Sequence, residues 1–202
     1  MPLEDINLVK EWSDVIIQMG NCMSVEDLAG LAGPLMPMGA YYEARLAERD
    51  KDPCPDLIST LLQAEKDGLI TREIVHMMLS GVMTAGNETT RNAISGSAIA
   101  LAGHPSEMAK LASGEISVPI AVEELLRWTT PVHGFGRTSL TDTEIRGVKI
   151  REGQRVYMLY QAANRDPEAF DNPTAFDPMR PVLKPQASFS FGQHSRIGAA
   201  LT

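Results

Sequence analysis

The sequence predicts a mainly α-helical protein with a small β part. Apolar residues recur at helical spacing through the first 130 residues, whereas polar and apolar residues alternate beyond Pro131. The chain has 202 residues, of which 44% are hydrophobic, which is enough to bury a core. We therefore expect a single domain over residues 1–202, with a helical part over 1–130 and a hairpin and loop region over 131–202.

The first helices are predicted from their apolar spacing and their capping residues. An apolar stripe from Leu8 to Met19 predicts one helix. Ser24 can cap a second helix, which we expect Gly33-Pro34 to interrupt, and Asp56 can cap a short third one.

The longest predicted helix extends from Thr71, a possible cap, to His104-Pro105. Gly, Ala, Val and Ile occupy most of its sides, which predicts burial almost all round. A short helix around Met108 and another that Pro119 opens complete the helical part.

The β part is predicted from two alternating segments, 144–150 and 154–160, with a turn at Glu152-Gly153 between them. We expect these segments to pair as a hairpin. The next residues, 164–185, are rich in Pro, Asp and Asn and predict an ordered loop.

Composition and charge exclude several classes of protein. The net charge of −8 argues against a nucleic-acid or anionic-membrane partner, which requires clustered Lys and Arg. No apolar run approaches the roughly 20 residues of a membrane-spanning helix, and the N-terminus has no signal-peptide pattern. Cys22 and Cys54 have no metal-ligand spacing around them, so we expect reduced thiols in a cytoplasmic protein.

The longest helix contains the sequence AGNETT at positions 85–90. One interpretation is that Ala85 and Gly86 let a flat group approach the helix, while Glu88 and Thr89 deliver protons beside it. The alternative is a tight helix crossing at Gly86, with the Thr89 hydroxyl bonded back to a carbonyl. The motif alone leaves both interpretations open.

The order of the later motifs is more specific than any one of them. The AGNETT motif is followed by EELLR at 123–127, Arg137, ANRDP at 163–167, FDPMR at 176–180 and FSFGQHSRIG at 189–198. This series resembles the C-terminal half of a soluble bacterial cytochrome P450, and the likeness runs from about Asp5 to the last residue. The expected fold is therefore a partial P450-like fold.

The resemblance implies haem-dependent monooxygenation of a small apolar substrate, with electrons from a ferredoxin-type redox partner. It assigns proton delivery to Glu88 and Thr89, and it places Ala85 and Gly86 against the distal face of the haem. Residues 130–135 would lie along the substrate pocket.

The remaining site residues are assigned by the same resemblance. Arg137 and His194 match the residues that hold the haem propionates. The haem-binding loop is matched by Phe189, Gly192 and Gly198. A buried ionic network of structural importance is assigned to Glu124, Arg127 and Arg180.

The sequence departs from the family at two loop positions. Ser190 stands where the pattern F-G-x-G-x-H-x-C-x-G has its first Gly, and Arg196 stands where it has Cys. The cysteine thiolate holds the iron and drives O–O cleavage. Arginine stays protonated and offers no lone pair to a metal, so no metal ligand is predicted.

These departures lead to two hypotheses besides an active monooxygenase. The chain is expected to be truncated, since it matches only the C-terminal half, and to be catalytically inactive, as a decayed reading frame would be. The alternative is an auxiliary protein without the axial cysteine, which binds a partner enzyme through the surface of the central helix that the unmatched half of the family fold would otherwise cover.

Overall fold

The computed structural model describes residues 2–20, 24–181 and 186–192. Its contacts divide the chain into two compact units, Met1–Glu88 and Thr89–Thr202, which we describe separately. The expected single domain over 1–202 stays a prediction.

The first unit is entirely helical in its described residues. A 3₁₀ turn at Leu3–Asp5 leads into α1 (Ile6–Gly20), α2 (Val25–Lys51), α3 (Leu57–Lys66) and the first part of α4 (Arg72–Gly103). The predicted caps of α2 and α3 are confirmed: Ser24 accepts a hydrogen bond from the Asp27 amide at 3.1 Å, and Asp56 accepts one from the Ser59 amide at 2.8 Å. The core of this unit is apolar and consists of Tyr42, Leu46, Leu61, Leu62 and Val75.

The expected interruption of α2 at Gly33-Pro34 is wrong, because the helix continues through both Pro34 and Pro37. An internal proline costs a helix about 3 kcal/mol. Helix α2 contacts α1 at this point, where the indole of Trp12, only 1% exposed, donates to the Pro34 carbonyl at 3.0 Å.

The second unit combines helices with short strands. After the rest of α4 come α5 (Pro105–Ser113), α6 (Val118–Thr129), β1 (Gly134–Thr138), β2 (Thr143–Ile145), β3 (Val148–Ile150), β4 (Arg155–Leu159), α7 (Tyr160–Ala163) and a 3₁₀ turn at Ala187–Phe189. The prediction of a mainly α fold with a small β part is confirmed.

The predicted pairing of 144–150 with 154–160 is wrong. Strand β2 turns back on β3 at Arg146-Gly147, where φ is 50° and 82°, and positive φ at both central residues is the mark of a type I′ hairpin. Strand β4 pairs antiparallel with β1, a strand that the sequence analysis did not predict. Gly134 of β1 makes this register possible, since a Cβ there would lie 2.8 Å from the Tyr157 ring.

The expectation that the longest helix is buried almost all round is also wrong. In the first unit Met77 and Val82 of α4 are 66% and 53% exposed, and in the second unit Ile94 and Ile99 are 66% and 74% exposed. Within each unit, the described elements cover only part of the helix surface. Among the described helices, none combines the length and apolarity needed to cross a membrane.

Candidate functional site

The second unit is built around a buried ion pair on α6. Glu124 and Arg127 are three residues apart, so both side chains project from one face of the helix. They are 3% and 1% exposed. The Arg127 Nε donates to Glu124 Oε2 at 2.6 Å and its Nη2 donates to Oε1 at 2.7 Å. This two-point geometry is the strongest form of a carboxylate–guanidinium contact.

The other donors of Arg127 bind backbone carbonyls far along the chain. They reach Asn164 O at 2.6 Å, Pro173 O at 2.9 Å and Ala175 O at 3.0 Å. A guanidinium has five N–H donors, and all five are therefore satisfied. A buried charge is tolerated only when it is paired and fully hydrogen-bonded, so Arg127 fixes the loop 164–175 against α6.

Arg180 is the third member of the network. Its Nε donates to Glu124 Oε2 at 3.1 Å, and its other nitrogens donate to the carbonyls of Asp171, Asn172 and Ala175. Glu124 Oε1 also accepts the Asp177 amide at 2.9 Å. The Glu124 carboxylate thus connects α6 to the end of the segment 171–180, and Arg180 connects that end to the beginning of the segment.

Asn164 forms a second buried hub that the sequence analysis missed. It is 0% exposed. Its Oδ1 accepts the Ala187 amide at 2.6 Å, and its Nδ2 donates to Thr130 Oγ1 at 2.9 Å and to Ser188 Oγ at 3.0 Å. Asn164 is part of the ANRDP motif, but a single Asn in a loop usually predicts a turn. Its role as a buried hydrogen-bonding residue becomes visible only when its partners are known.

The resemblance places Thr130 along a substrate pocket, whereas the structure makes it part of this hub. Thr130 is 0% exposed and its hydroxyl donates to the Arg127 carbonyl at 2.8 Å. Ser188, also buried, donates to Leu126 O at 2.9 Å. The 3₁₀ turn at Ala187–Phe189 is therefore held against the C-terminal end of α6.

The beginning of the FSFGQHSRIG segment follows directly from this turn. Phe189 is half-buried and Gly192 is exposed at a φ of 74°. Ser190 accepts a hydrogen bond from the hydroxyl of Tyr160 at 2.9 Å. His194, Arg196 and Gly198 lie outside the described residues, so their assignment to the loop rests on the sequence alone.

The acid–alcohol pair of the central helix is divided between the two units. Glu88 and Thr89 are both half-buried on α4, at the end of the first unit and the start of the second. Ala85 and Gly86 are exposed, and apart from its chain neighbours and the adjacent backbone of α4, no described atom lies within 4 Å of a Cβ added to Gly86. The described residues therefore show open space at Gly86 and no tight helix crossing there.

Arg137 lies on β1, opposite Val156 of β4. It is half-buried, and its Nη1 donates to the carbonyl of Gly136 at 3.1 Å. A guanidinium at this position has the charge that a carboxylate such as a propionate requires.

Cys54 is held in the loop between α2 and α3. Its Sγ donates to Asp56 Oδ2 at 3.2 Å. This hydrogen bond and partial burial raise the pKa of the Cys54 thiol, which opposes formation of a thiolate. Cys22 lies outside the described residues.

The haem that the resemblance implies lacks its expected ligand in this sequence. Within the second unit, the guanidinium of Arg137 has the charge that a haem propionate requires. Residues 186–202 contain no cysteine, and the resemblance assigns the position of the axial thiolate to Arg196. The donor set therefore does not fit thiolate ligation of haem iron.

The mainly α fold and the Glu124–Arg127–Arg180 network are those expected from the resemblance to cytochrome P450s, and known proteins of that family are similar to this chain. The family model for cytochrome P450 matches residues 118–201. Over its whole length the chain is similar to the solved structures of P450BioI in complex with an acyl carrier protein (TM-score 0.88, 35% identity) and of CalO2 (TM-score 0.90, 29% identity). The chain covers 52% and 51% of those two chains. The chain is thus similar over its whole length to about half of a cytochrome P450, and its C-terminal part matches the model of that family.

Two curated relatives are similar over the whole chain. One is the biotin biosynthesis cytochrome P450 of Bacillus subtilis, 35% identical, of which the chain covers 51%. Another is the steroid C26-monooxygenase of Rhodococcus jostii, 40% identical, of which it covers 42%. The chain thus spans about half the length of the curated relatives it matches.

Proposed function

We propose that this chain is a cytochrome P450 family protein that does not carry out the haem-thiolate monooxygenation of its relatives. The single observation that carries the proposal is Arg196, which occupies the cysteine position of the haem-binding loop. When bound, a haem with a thiolate ligand supplies the activation of dioxygen. A protonated guanidinium cannot provide that ligand, and its charge opposes that of the iron.

Neither cysteine of the chain is a convincing replacement. Cys22 and Cys54 are 174 and 142 positions before Arg196 in the sequence. The Cys54 thiol already donates a hydrogen bond to Asp56. His194 is matched to a propionate, so ligation of iron through its imidazole is not part of the proposal.

The inactive chain retains the elements that position the loop. Glu124, Arg127 and Arg180 hold the segment 171–180, and Asn164 holds the 3₁₀ turn at 187–189. On this proposal Glu88, Thr89 and Arg137 are retained in the chain but take part in no monooxygenation. The named reactions of the relatives differ from one another, so no single substrate is carried over to this chain.

Absorption spectroscopy of the full chain tests the proposal. The chain is expressed with haem available, and the reduced protein is exposed to carbon monoxide. We expect no thiolate-type Soret band from the wild type. A thiolate-type band would overturn the proposal.

The variant Arg196→Cys tests whether this one side chain is responsible. We expect it to gain a thiolate-type band and to accept electrons from a ferredoxin-type donor. Arg151→Cys is the matched control, because it adds a thiol at an exposed residue elsewhere in the same unit and should leave the spectrum unchanged.

A second candidate function is that of an auxiliary protein in the cytoplasm that lacks the axial cysteine of the family. It is favoured by the exposure of large apolar residues on α4, among them Val82 in the first unit and Ile99 in the second. Such exposure is typical of surfaces that bind other proteins. On this proposal the chain binds and supports a partner enzyme and needs no haem.

Co-expression with enzymes encoded by neighbouring genes tests the second candidate. We expect the partner's activity to rise with the wild-type chain and to fall back with Val82→Asp. Leu140→Asp is the control, since Leu140 is 85% exposed on a loop outside α4. A protein that aggregates and leaves the enzyme's activity unchanged would instead indicate a decayed reading frame.

A further inference from the structure

Ser190 has a backbone conformation that side chains rarely adopt. Its φ is 62° and its ψ is −176°. This region of backbone space is occupied almost only by glycine, because a Cβ there is crowded by its own backbone. The family pattern has glycine at this position, whereas the chain has serine. The structure therefore keeps the glycine-type conformation without the glycine.

The serine side chain has a buried partner. Tyr160, at the start of α7, is 5% exposed, and its hydroxyl donates to Ser190 Oγ at 2.9 Å. The Ser190 amide donates to the Ala187 carbonyl at 2.9 Å and closes the 3₁₀ turn. The Ser190 residue is thus held at its side chain by α7 and at its backbone by the turn.

This contact is separate from the two hubs described above. Asn164 acts on Ala187 and Ser188, two or more residues before Ser190. Glu124 and Arg127 act on the segment 164–180. Of the side-chain hydrogen bonds in the described part of the loop, the one from Tyr160 acts at the position where the backbone is strained.

We propose that Tyr160 is a positioning residue whose hydroxyl holds Ser190 in the glycine-type conformation and so fixes the direction in which the chain leaves the 3₁₀ turn toward Phe191 and Gly192. The inference extends the proposed function by naming a side chain that holds the described beginning of the loop in place.

The physical argument distinguishes three side chains at position 190. With serine the backbone conformation is strained, and the hydrogen bond to Tyr160 offsets part of that strain energy. Alanine keeps the strain and loses the bond. Glycine loses the bond but adopts the conformation without strain, because it has no Cβ. The Tyr160 hydroxyl should therefore matter when residue 190 is serine and be dispensable when it is glycine.

Amide hydrogen exchange of the full chain measures this directly, with the Ser190 amide and its neighbours over 186–192 as the readout. We expect Tyr160→Phe and Ser190→Ala each to speed exchange there roughly tenfold, as expected for the loss of one buried hydrogen bond. The double variant should exchange no faster than either single variant.

The Ser190→Gly variant shows whether the Tyr160 hydroxyl acts through Ser190 or contributes to the core in general. We expect Ser190→Gly to leave exchange within about twofold of the wild type, and Tyr160→Phe to add no further change in that background. Tyr157→Phe is the matched control: it removes a phenol hydroxyl from a 60% exposed ring three residues away. Exchange over β1 reports whether each variant remains folded.

Two results would overturn the proposal. One is unchanged exchange over 186–192 in Tyr160→Phe. The other is an equal increase in the serine and glycine backgrounds, which would show that the hydroxyl acts elsewhere. Failure of the proposed function has a different signature, a thiolate-type spectrum of the wild-type chain, and the exchange experiment does not depend on it.

Discussion

Both units bury apolar clusters, but among the described residues the second unit also buries an ion pair. The first unit closes over apolar and aromatic residues, with Leu46 and Val75 at 1% and 0% exposure. Its ion pairs lie at the surface, as between Lys66 and Asp50, both more than half exposed. The second unit places Glu124, Arg127 and Asn164 at its centre. Apolar burial makes the first unit compact, whereas directional hydrogen bonds give the second unit its loop geometry.

The two units also differ in the balance of acidic and basic residues. Residues 1–88 contain 15 acidic and 6 basic residues, whereas residues 89–202 contain 11 acidic and 12 basic ones. The second unit uses two of its arginines, Arg127 and Arg180, to bind interior carbonyls and Glu124. A non-directional apolar core would hold helices together but would not fix a loop of this length.

The largest expected effect is on the network of the second unit. Arg127→Lys keeps the charge but cannot make five hydrogen bonds, so it leaves Glu124 and three carbonyls short of donors. We expect a loss of about 3–5 kcal/mol in the free energy of unfolding. Urea denaturation measures it. Arg146→Lys, in an ion pair with side chains 76% and 67% exposed, should cost far less, because solvent screens the pair. Equal losses of stability in Arg127→Lys and Arg146→Lys would contradict the expectation that the burial of Arg127 makes its contacts more important.

The corresponding test in the first unit removes apolar volume. Leu46→Ala leaves a cavity in the core beside Tyr42 and Val75. We expect a loss of about 2–5 kcal/mol in the free energy of unfolding. Leu69→Ala is the control, since Leu69 is 74% exposed and its truncation should change little. A loss at Leu46 no larger than that at Leu69 would contradict an apolar basis for this unit.

A smaller effect is expected at Asn164. Asn164→Ala removes one acceptor and two donors and leaves the Ala187 amide without its partner. We expect a loss of about 1–3 kcal/mol together with faster amide exchange over 187–189. Asn92→Ala, at an exposed position of α4, provides the control. If exchange over 187–189 did not change, the hub would not hold the 3₁₀ turn.

The sequence predicted the local features of the fold well. Ser24 and Asp56 cap helices because a capping bond spans only three residues, so the pattern that encodes it is short. The bounds of α4 follow from local signals at Thr71 and Pro105 in the same way. The Glu124–Arg127 spacing is visible in the sequence, but its burial is not.

Features that depend on distant residues could not be predicted. The hydrogen bond from Trp12 to the Pro34 carbonyl joins residues 22 positions apart, and β4 pairs with β1 across an intervening hairpin. The role of Asn164 depends on partners 34 residues before it and 24 after it. The site residues His194, Arg196 and Gly198 lie outside the described residues, and their roles stay predictions.

The smallest expected effect is a pH dependence in the first unit. The Tyr41 hydroxyl donates to Asp5 Oδ2 at 2.8 Å. Burial, this hydrogen bond and the nearby carboxylate raise the pKa of Tyr41 to about 12. Because the folded state favours the neutral phenol, its contribution to stability is present below the ordinary pKa of about 10 and is lost as the pH rises toward 12.

Denaturation at a series of pH values between 9 and 12 measures this contribution, which we expect to be about 1 kcal/mol at most because Tyr41 is half-buried and solvent screens the contact. Tyr41→Phe should flatten the decline. A residual slope is expected from Tyr42, whose pKa burial also raises. An unchanged slope in Tyr41→Phe would mean that the polar contact at the edge of this apolar unit contributes nothing, which would sharpen the contrast with the second unit.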